Sequence, residues 1–237
     1  MEHQNVYELV QKIYGSWERG ENPWESGREL QSAEPLSEMT FRVMPAEQIS
    51  PEQASVSVFF RGADAGYDER AVEVSGVFDE LMDDPSGFYK TKLLSIADLE
   101  IPNANYIGEG ASLYRENGII SFRIAVHSPE KDLASRAKLF ASTVTDTIVP
   151  EILNNKNVFT KAQFKQVRQT IKDYSYLGTE TAEELLSQVE YWWVNASTDL
   201  FFSDGKKVKK ADIDGYLNKY VVGKNPLVTV QVNPAVY

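Results

Sequence analysis

The histidine best placed to do chemistry is His127, in the run His127-Ser128-Pro129-Glu130-Lys131. H-x-x-E opens the zinc motif H-x-x-E-H, but Lys131 stands where the second imidazole belongs. A zinc helix must also carry its ligands on one face of a continuous helix. Pro129 instead marks the passage from a strand into a helix, and His127 falls on the polar face of that strand, the position of a surface histidine. His3 is the only other imidazole and cysteine is absent. Thiolate zinc sites, cysteine nucleophiles and disulfides are therefore excluded, and an imidazole-based metal site would be thin.

Carboxylates are the next candidates. Asp83/Asp84, Glu183/Glu184 and Asp212/Asp214 are close pairs, the raw material of acid–base hydrolysis. Each also has a local structural use. Glu183, Glu184 and Asp212 fall in the first turns of helices, where the macrodipole favours anions, and Asp83-Asp84 precedes Pro85 as a helix stop. Tyr191-Trp192-Trp193 offers a ligand platform or, at the end of an amphipathic helix, packing. The basic cluster Lys206, Lys207, Lys209, Lys210 has no interleaved aromatic residue and reads as a solvated loop. Asn195-Ala196-Ser197 matches a glycosylation sequon. Gly62, Gly66, Gly108 and Gly110 do not form a phosphate loop.

These side chains ride on 237 residues, enough for one large domain or two small ones. A hydrophobic content of 42% supports a real core, while a net charge of −11 argues against nucleic acid and anionic membrane surfaces as partners. No apolar run approaches the ~18 residues of a membrane span. Met1 to Asn5 is polar and shows no secretory signal, and the compartment stays open.

Apolar spacing predicts a helix over about 4–14 (Val6, Leu9, Val10, Ile13), then a polar, extended linker over 21–37. Met39, Phe41 and Val43 alternate as a half-buried strand, and Val56, Val58 and Phe60 do so over 54–61. Asp68 opens a helix with the stripe Ala71, Val74, Val77, Phe78 and Leu81, and a short helix follows over 86–97. Tyr106–Tyr114 and Ile120–Val126 form a hairpin turning at Glu116-Asn117-Gly118, where Asn-Gly tolerates positive φ. Leu133, Ala137, Phe140, Val144 and Ile148 make one helical stripe; Phe164, Val167, Ile171 and Tyr174 make another behind the capping box Thr160–Gln163. A second box, Thr181–Glu184, opens the helix that carries Tyr191 to Trp193. Strands joined by short connections pair antiparallel, so the expected fold is α+β, an antiparallel sheet with helices packed on one face. The expected division is 1–37, a connector helix and linker, and 38–237, the α+β domain.

The closing stretch from Ala211 to Pro234 holds Asp212-Ile213-Asp214-Gly215-Tyr216-Leu217-Asn218-Lys219-Tyr220, then Gly223-Lys224-Asn225-Pro226-Leu227-Val228-Thr229-Val230-Gln231-Val232. In order and wording it resembles the end of a domain in the pitrilysin/insulinase (M16) family of zinc peptidases. Ile13-Tyr14-Gly15-Ser16-Trp17 resembles the segment leading out of that family's zinc domain. Gln53–Arg61 resembles the next domain's first core strand, Ser86-Gly87-Phe88-Tyr89 the turn and helix after it, and Gly118–Ile124 the strand after the hairpin. Ser128-Pro129-Glu130-Lys131 resembles the turn into the long helical pair.

The resemblance implies an M16 (LuxS/MPP-like) metallopeptidase homology domain of the C-terminal type. The zinc histidines, the base glutamate and the third zinc ligand have no matching positions, so the resemblance assigns no catalytic and no metal-binding residue here. Zinc is expected in an upstream catalytic domain or subunit, which polarises the peptide carbonyl while a glutamate activates water. The family's substrate-binding tyrosine matches Tyr106; its partner arginine falls near Leu94 and is missing, with an insertion through Pro102 between them. The implied function is a non-catalytic structural domain of a zinc metallopeptidase, walling a chamber for unfolded peptides, and a piece of a longer protein. The alternatives are a catalytically dead scaffold subunit and, in a different class, a hydrolase acting alone through converging carboxylates such as Asp212 or Glu184.

Overall fold

The computed structural model describes residues 3–16, 34–127, 132–177, 179–196, 200, 205 and 207–236. The chain divides into residues 1–32 and 33–237. In the first unit, helix α1 (His3–Tyr14) presents Leu9, Val10 and Ile13 as exposed side chains. Most of the expected linker, the turn Ser128–Lys131, Lys206 and Ser197 lie outside the described residues.

The second unit is built on five strands: β1 (Thr40–Pro45), β2 (Gln53–Arg61), β3 (Ile107–Ser112), β4 (Ile119–His127) and β5 (Leu227–Val232). Their order is β1-β5-β2-β4-β3. Period-2 alternation sends Ala54, Val56, Val58 and Phe60 of β2, Ile120, Phe122, Ile124 and Val126 of β4, and Val228, Val230 and Val232 of β5 to one face, all buried. Ser55, Ser57, Ser121, Arg123, Thr229 and Gln231 occupy the other. One apolar face demands one layer of cover. It is met by α2 (Glu69–Asp83), α3 (Phe88–Leu94), α4 (Leu133–Thr143), α5 (Val149–Asn154), α6 (Lys161–Leu177) and α8 (Lys210–Tyr220), whose buried side chains join the same core. Phe122 sits at its centre, edge-on to Phe60 at 6.2 Å and to Tyr89 at 6.0 Å.

The α+β class holds, but the sheet is mixed. β1 does not pair with β2; the last strand, β5, lies between them and runs parallel to β1, with Phe41 opposite Val228 and Val43 opposite Val230. The chain between β1 and β2 therefore spans a gap of one strand rather than making a hairpin. As an edge strand β1 is also less covered than its alternation predicts: Phe41 and Val43 are exposed.

Local signals place the helices. Asp68 caps α2 by accepting from the Ala71 N–H at 3.0 Å, and its second oxygen accepts from Lys219 Nζ at 2.6 Å and Tyr220 Oη at 2.8 Å. Burial would raise this carboxyl; the hydrogen bonds from Lys219, Ala71 and Tyr220 outweigh it and hold the group below its usual range. Thr160–Gln163 and Thr181–Glu184 form the capping boxes expected of them. The helix of α4 widens to π over 144–148 before continuing as α5. Pro150 gives the reason, because it brings no N–H and crowds the carbonyl four residues back.

The hairpin turn uses Asn117 and Gly118 differently. Only Asn117 has positive φ, at 63°. Gly118 is required by close approach instead: a Cβ there would lie 1.8 Å from the Ala63 carbonyl oxygen. Gly118→Ala is expected to destabilise the fold by about 1–3 kcal/mol. Gly215→Ala, on the open face of α8 with nothing within 4 Å, should stabilise it by roughly 0.5–1 kcal/mol. Urea denaturation of the two variants checks both signs.

Candidate functional site

Tyr106 ends a single 3-10 turn, Ala104–Tyr106, opened by the Asn103 side chain accepting from the Asn105 N–H at 3.0 Å. The turn delivers the half-buried phenol to the open end of β2 and β4. There its ring lies 6.1 Å from that of His127, and its hydroxyl accepts from Gln53 Nε2 at 3.4 Å. Gln53 and His127 are brought together by the β2–β4 register. Arg136 of α4, almost wholly buried, donates to the His127 carbonyl and lies 3.4 Å from a Glu100 oxygen. Asp98, Glu100, Asp132 and Arg136 line a cavity of about 370 Å³ beside it. This is a polar rim with one imidazole and one phenol. The position matching the family's arginine, Leu94, is the apolar last residue of α3.

His127 is half-buried rather than a free surface side chain. Tyr106 and Gln53 are its neighbours on this rim, and neither is a zinc ligand of the usual kind. Among the described residues no three His, Cys, Asp or Glu side chains are grouped to hold a metal ion.

The sequence-adjacent carboxylates do the local work expected of them. Asp83 pairs with Lys90 at 2.6 Å. Asp84 accepts from the Ser86 N–H at 3.0 Å and from Gln163 Nε2 at 3.0 Å. Glu184 accepts from the Thr181 N–H at 3.0 Å, Asp212 from the Lys209 N–H at 2.8 Å, and Asp214 pairs with Lys210. Asp83 and Asp84 both line a cavity of about 170 Å³ with Glu80, where Lys90 holds Asp83 and Ser86 and Gln163 hold Asp84. The aromatic run splits: Trp192 packs beside Ala65, Val72 and Leu200, while Tyr191 and Trp193 on α7 (Ala182–Asn195) are exposed, as is Tyr174 on α6. Lys207 and Lys209 are exposed, as a solvated loop requires.

The carboxyls that do meet across the fold are Asp79 on α2 and Glu109 on β3. Asp79 Oδ2 accepts from the Ala111 N–H at 3.1 Å, and Glu109 stands two residues before Ala111 on the same face of β3, so the two side chains are neighbours in the helix–sheet interface. Burial raises both, Glu109 well above the usual carboxyl range, and the charge of Asp79 pushes Glu109 further. Asp79 Oδ1 and both Glu109 oxygens are buried, although each residue as a whole is half-buried and Asp79 lines a cavity of about 260 Å³. A signal for Glu109 was present: it lies between Ile107 and Ala111 in period 2, and the inward side of Ile107 carries Glu109 inward too.

No protein-family model and no curated protein matches the sequence. Solved structures do match. A protease from Helicobacter pylori superposes on 98% of the chain with a TM-score of 0.70 at 13% identity. A peptidase M16 inactive domain from Pseudomonas fluorescens covers 98% with a TM-score of 0.61 at 12% identity. Pitrilysin covers 96% with a TM-score of 0.54 at 14% identity. The chain spans 53% of the Helicobacter chain, 52% of the Pseudomonas chain and 22% of the pitrilysin chain. It therefore has the fold of M16 peptidase domains.

Arg136 supports the Tyr106–His127 rim from below through charge-assisted hydrogen bonds. Arg136→Met should cost about 1.5–3 kcal/mol, measured by denaturant unfolding, and should loosen the His127 end of β4 in amide exchange.

Proposed function

We propose that this chain is a non-catalytic domain of an M16-type zinc peptidase. It supplies part of the wall of a chamber for unfolded peptides, while zinc and the base glutamate belong to a separate catalytic domain or subunit. The observation that carries this reading is the fit of nearly the whole chain to about half of a two-fold longer M16 inactive-domain protein. The absence of H-x-x-E-H from the sequence supports it.

In this reading Tyr106 is the substrate contact. A phenol at the mouth of a strand can stack on a peptide bond or accept a backbone N–H without selecting a particular side chain, which suits a wall that holds many sequences. The acidic residues Asp98, Glu100 and Asp132, which line the cavity at Arg136, favour peptides that carry lysine or arginine.

No helix among the described residues is long and apolar enough to cross a membrane. The test uses the 237-residue chain with a quenched fluorescent peptide that is basic and unfolded, with and without added zinc. Binding without cleavage is expected. Tyr106→Ala should weaken binding by about tenfold, ~1.4 kcal/mol, with the melting temperature unchanged. Zinc-dependent turnover by the chain alone, abolished by a chelator, would overturn the reading.

A further inference from the structure

The Asp79–Glu109 contact poses a problem in proton bookkeeping. Asp79 Oδ2 accepts from the Ala111 N–H of β3 at 3.1 Å. Asp79 Oδ1 and both Glu109 oxygens are buried acceptors with no N–H or O–H partner among the described residues. Ionised carboxylates are acceptors only, and two of them in contact, without a cation, would each carry the desolvation cost of a bare charge.

Among the described residues, the neighbours on the packed elements do not supply that cation. Lys90 of α3 is bound to Asp83. Arg123 of β4 lies on the opposite face of the sheet, where its guanidinium packs 3.7 Å from the Cβ position of Gly108 and 3.6 Å from that of Gly110. It attracts the pair only through the sheet. Tyr89 of α3 donates its hydroxyl to the Gly108 carbonyl at 3.2 Å. Tyr216 of α8 faces the pair as a phenol raised by burial and then by Glu109 and Asp79. Asp83 and Glu80 of α2 add only negative charge nearby. The donor that fills the contact is a proton on the pair itself.

We propose that Asp79 and Glu109 form a proton-operated clasp that fastens the edge strand β3 to helix α2 and lets go when the proton leaves. β3 is the outer strand of the sheet and pairs only with β4, so its other side is held by side chains. The Asp79–Ala111 bond and the Tyr89–Gly108 bond are the two direct attachments, and Glu109 adds the third when it shares a proton with Asp79. With that proton gone, two adjacent anions are left with buried oxygens. The relief available is separation of β3 from α2 so that water enters.

The sign follows from where the proton is held more tightly. Both carboxyls are raised in the folded chain, by burial first. The clasp's contribution is therefore complete at pH values below the range of a free carboxyl. It is lost as pH rises through the folded value. Carboxylates salt-bridged at the surface behave the opposite way.

Amide hydrogen exchange on the whole chain tests this, with protection at Gly108–Ser112 of β3 measured against Val56–Val58 of β2 and corrected for the intrinsic rate at each pH. Between about pH 5 and about pH 9 the β3-to-β2 protection ratio should fall at least tenfold in the wild type. In Glu109→Gln, where the amide donates to Asp79 at every pH, the ratio should stay flat. Asp79→Asn should also be flat, and it keeps the test open if the first variant folds poorly. A flat wild-type ratio, or a fall of equal size in both variants, would overturn the clasp.

Discussion

Everything in the larger unit hangs on the place taken by β5. The last strand of the chain enters between β1 and β2 and hydrogen-bonds to both. It brings Val228, Val230 and Val232 onto the buried face. Without it β1 would have no partner at all, and the apolar faces of β2 and β4 would lose a third neighbour. The helix that precedes it, α8, is drawn in by the same move. Lys219 and Tyr220 reach Asp68 at the start of α2, while Ile213, Tyr216 and Leu217 fill the core. One cap thus joins the first core helix to the last, and the closing strand is fixed at both its ends by contacts far apart in sequence. The entropy of closing so long a loop is met by burial along the whole strand rather than by any single bond.

Charge in this molecule is sorted by depth. The surface carboxylates serve caps and short-range ion pairs: Glu184 at α7, Asp212 at α8, Asp83 with Lys90. Such groups hold negative charge comfortably because helix N-termini, lysines and water share it. Asp79 and Glu109 lie in the interface of α2 with an edge strand, where their buried oxygens meet no lysine or helix N-terminus among the described residues. A sheet edge is where unpaired N–H and C=O groups invite unwanted pairing, and here the edge is occupied from inside the domain by a carboxyl and a phenol. Polar side chains in that place are costly to bury but specific in what they hold.

The same sorting bears on function. Zinc hydrolysis needs two or three ligands converging on one open position with a base beside it. The Tyr106 rim offers an imidazole, a phenol and an amide, with acidic side chains lining the adjoining cavity. In the proposed reading that set holds a peptide. The fold is shared with M16 peptidase domains, and the proposed role as a peptide-holding wall would use the sheet as a rigid support and the acidic side chains as a source of negative potential.

The sequence by itself determined the kinds of element and most of their ends. Thr160 with Gln163, Thr181 with Glu184, and Asp68 ahead of the α2 stripe act within one turn of chain, so the residues that signal the helix are the residues that close it. Alternation did the same for β2 and β4, and Asn117-Gly118 for the turn, although it was the Ala63 carbonyl that made Gly118 necessary. Tyr106 was legible only as a family position; its neighbours Gln53 and His127 were not, since strand register joins them. Only the tertiary structure decided that β5 separates β1 from β2, that β1 runs parallel and exposed, and that Glu109 meets Asp79. Each of these depends on which distant segment arrives alongside, and periodicity reports which face a residue takes but not what will stand opposite it.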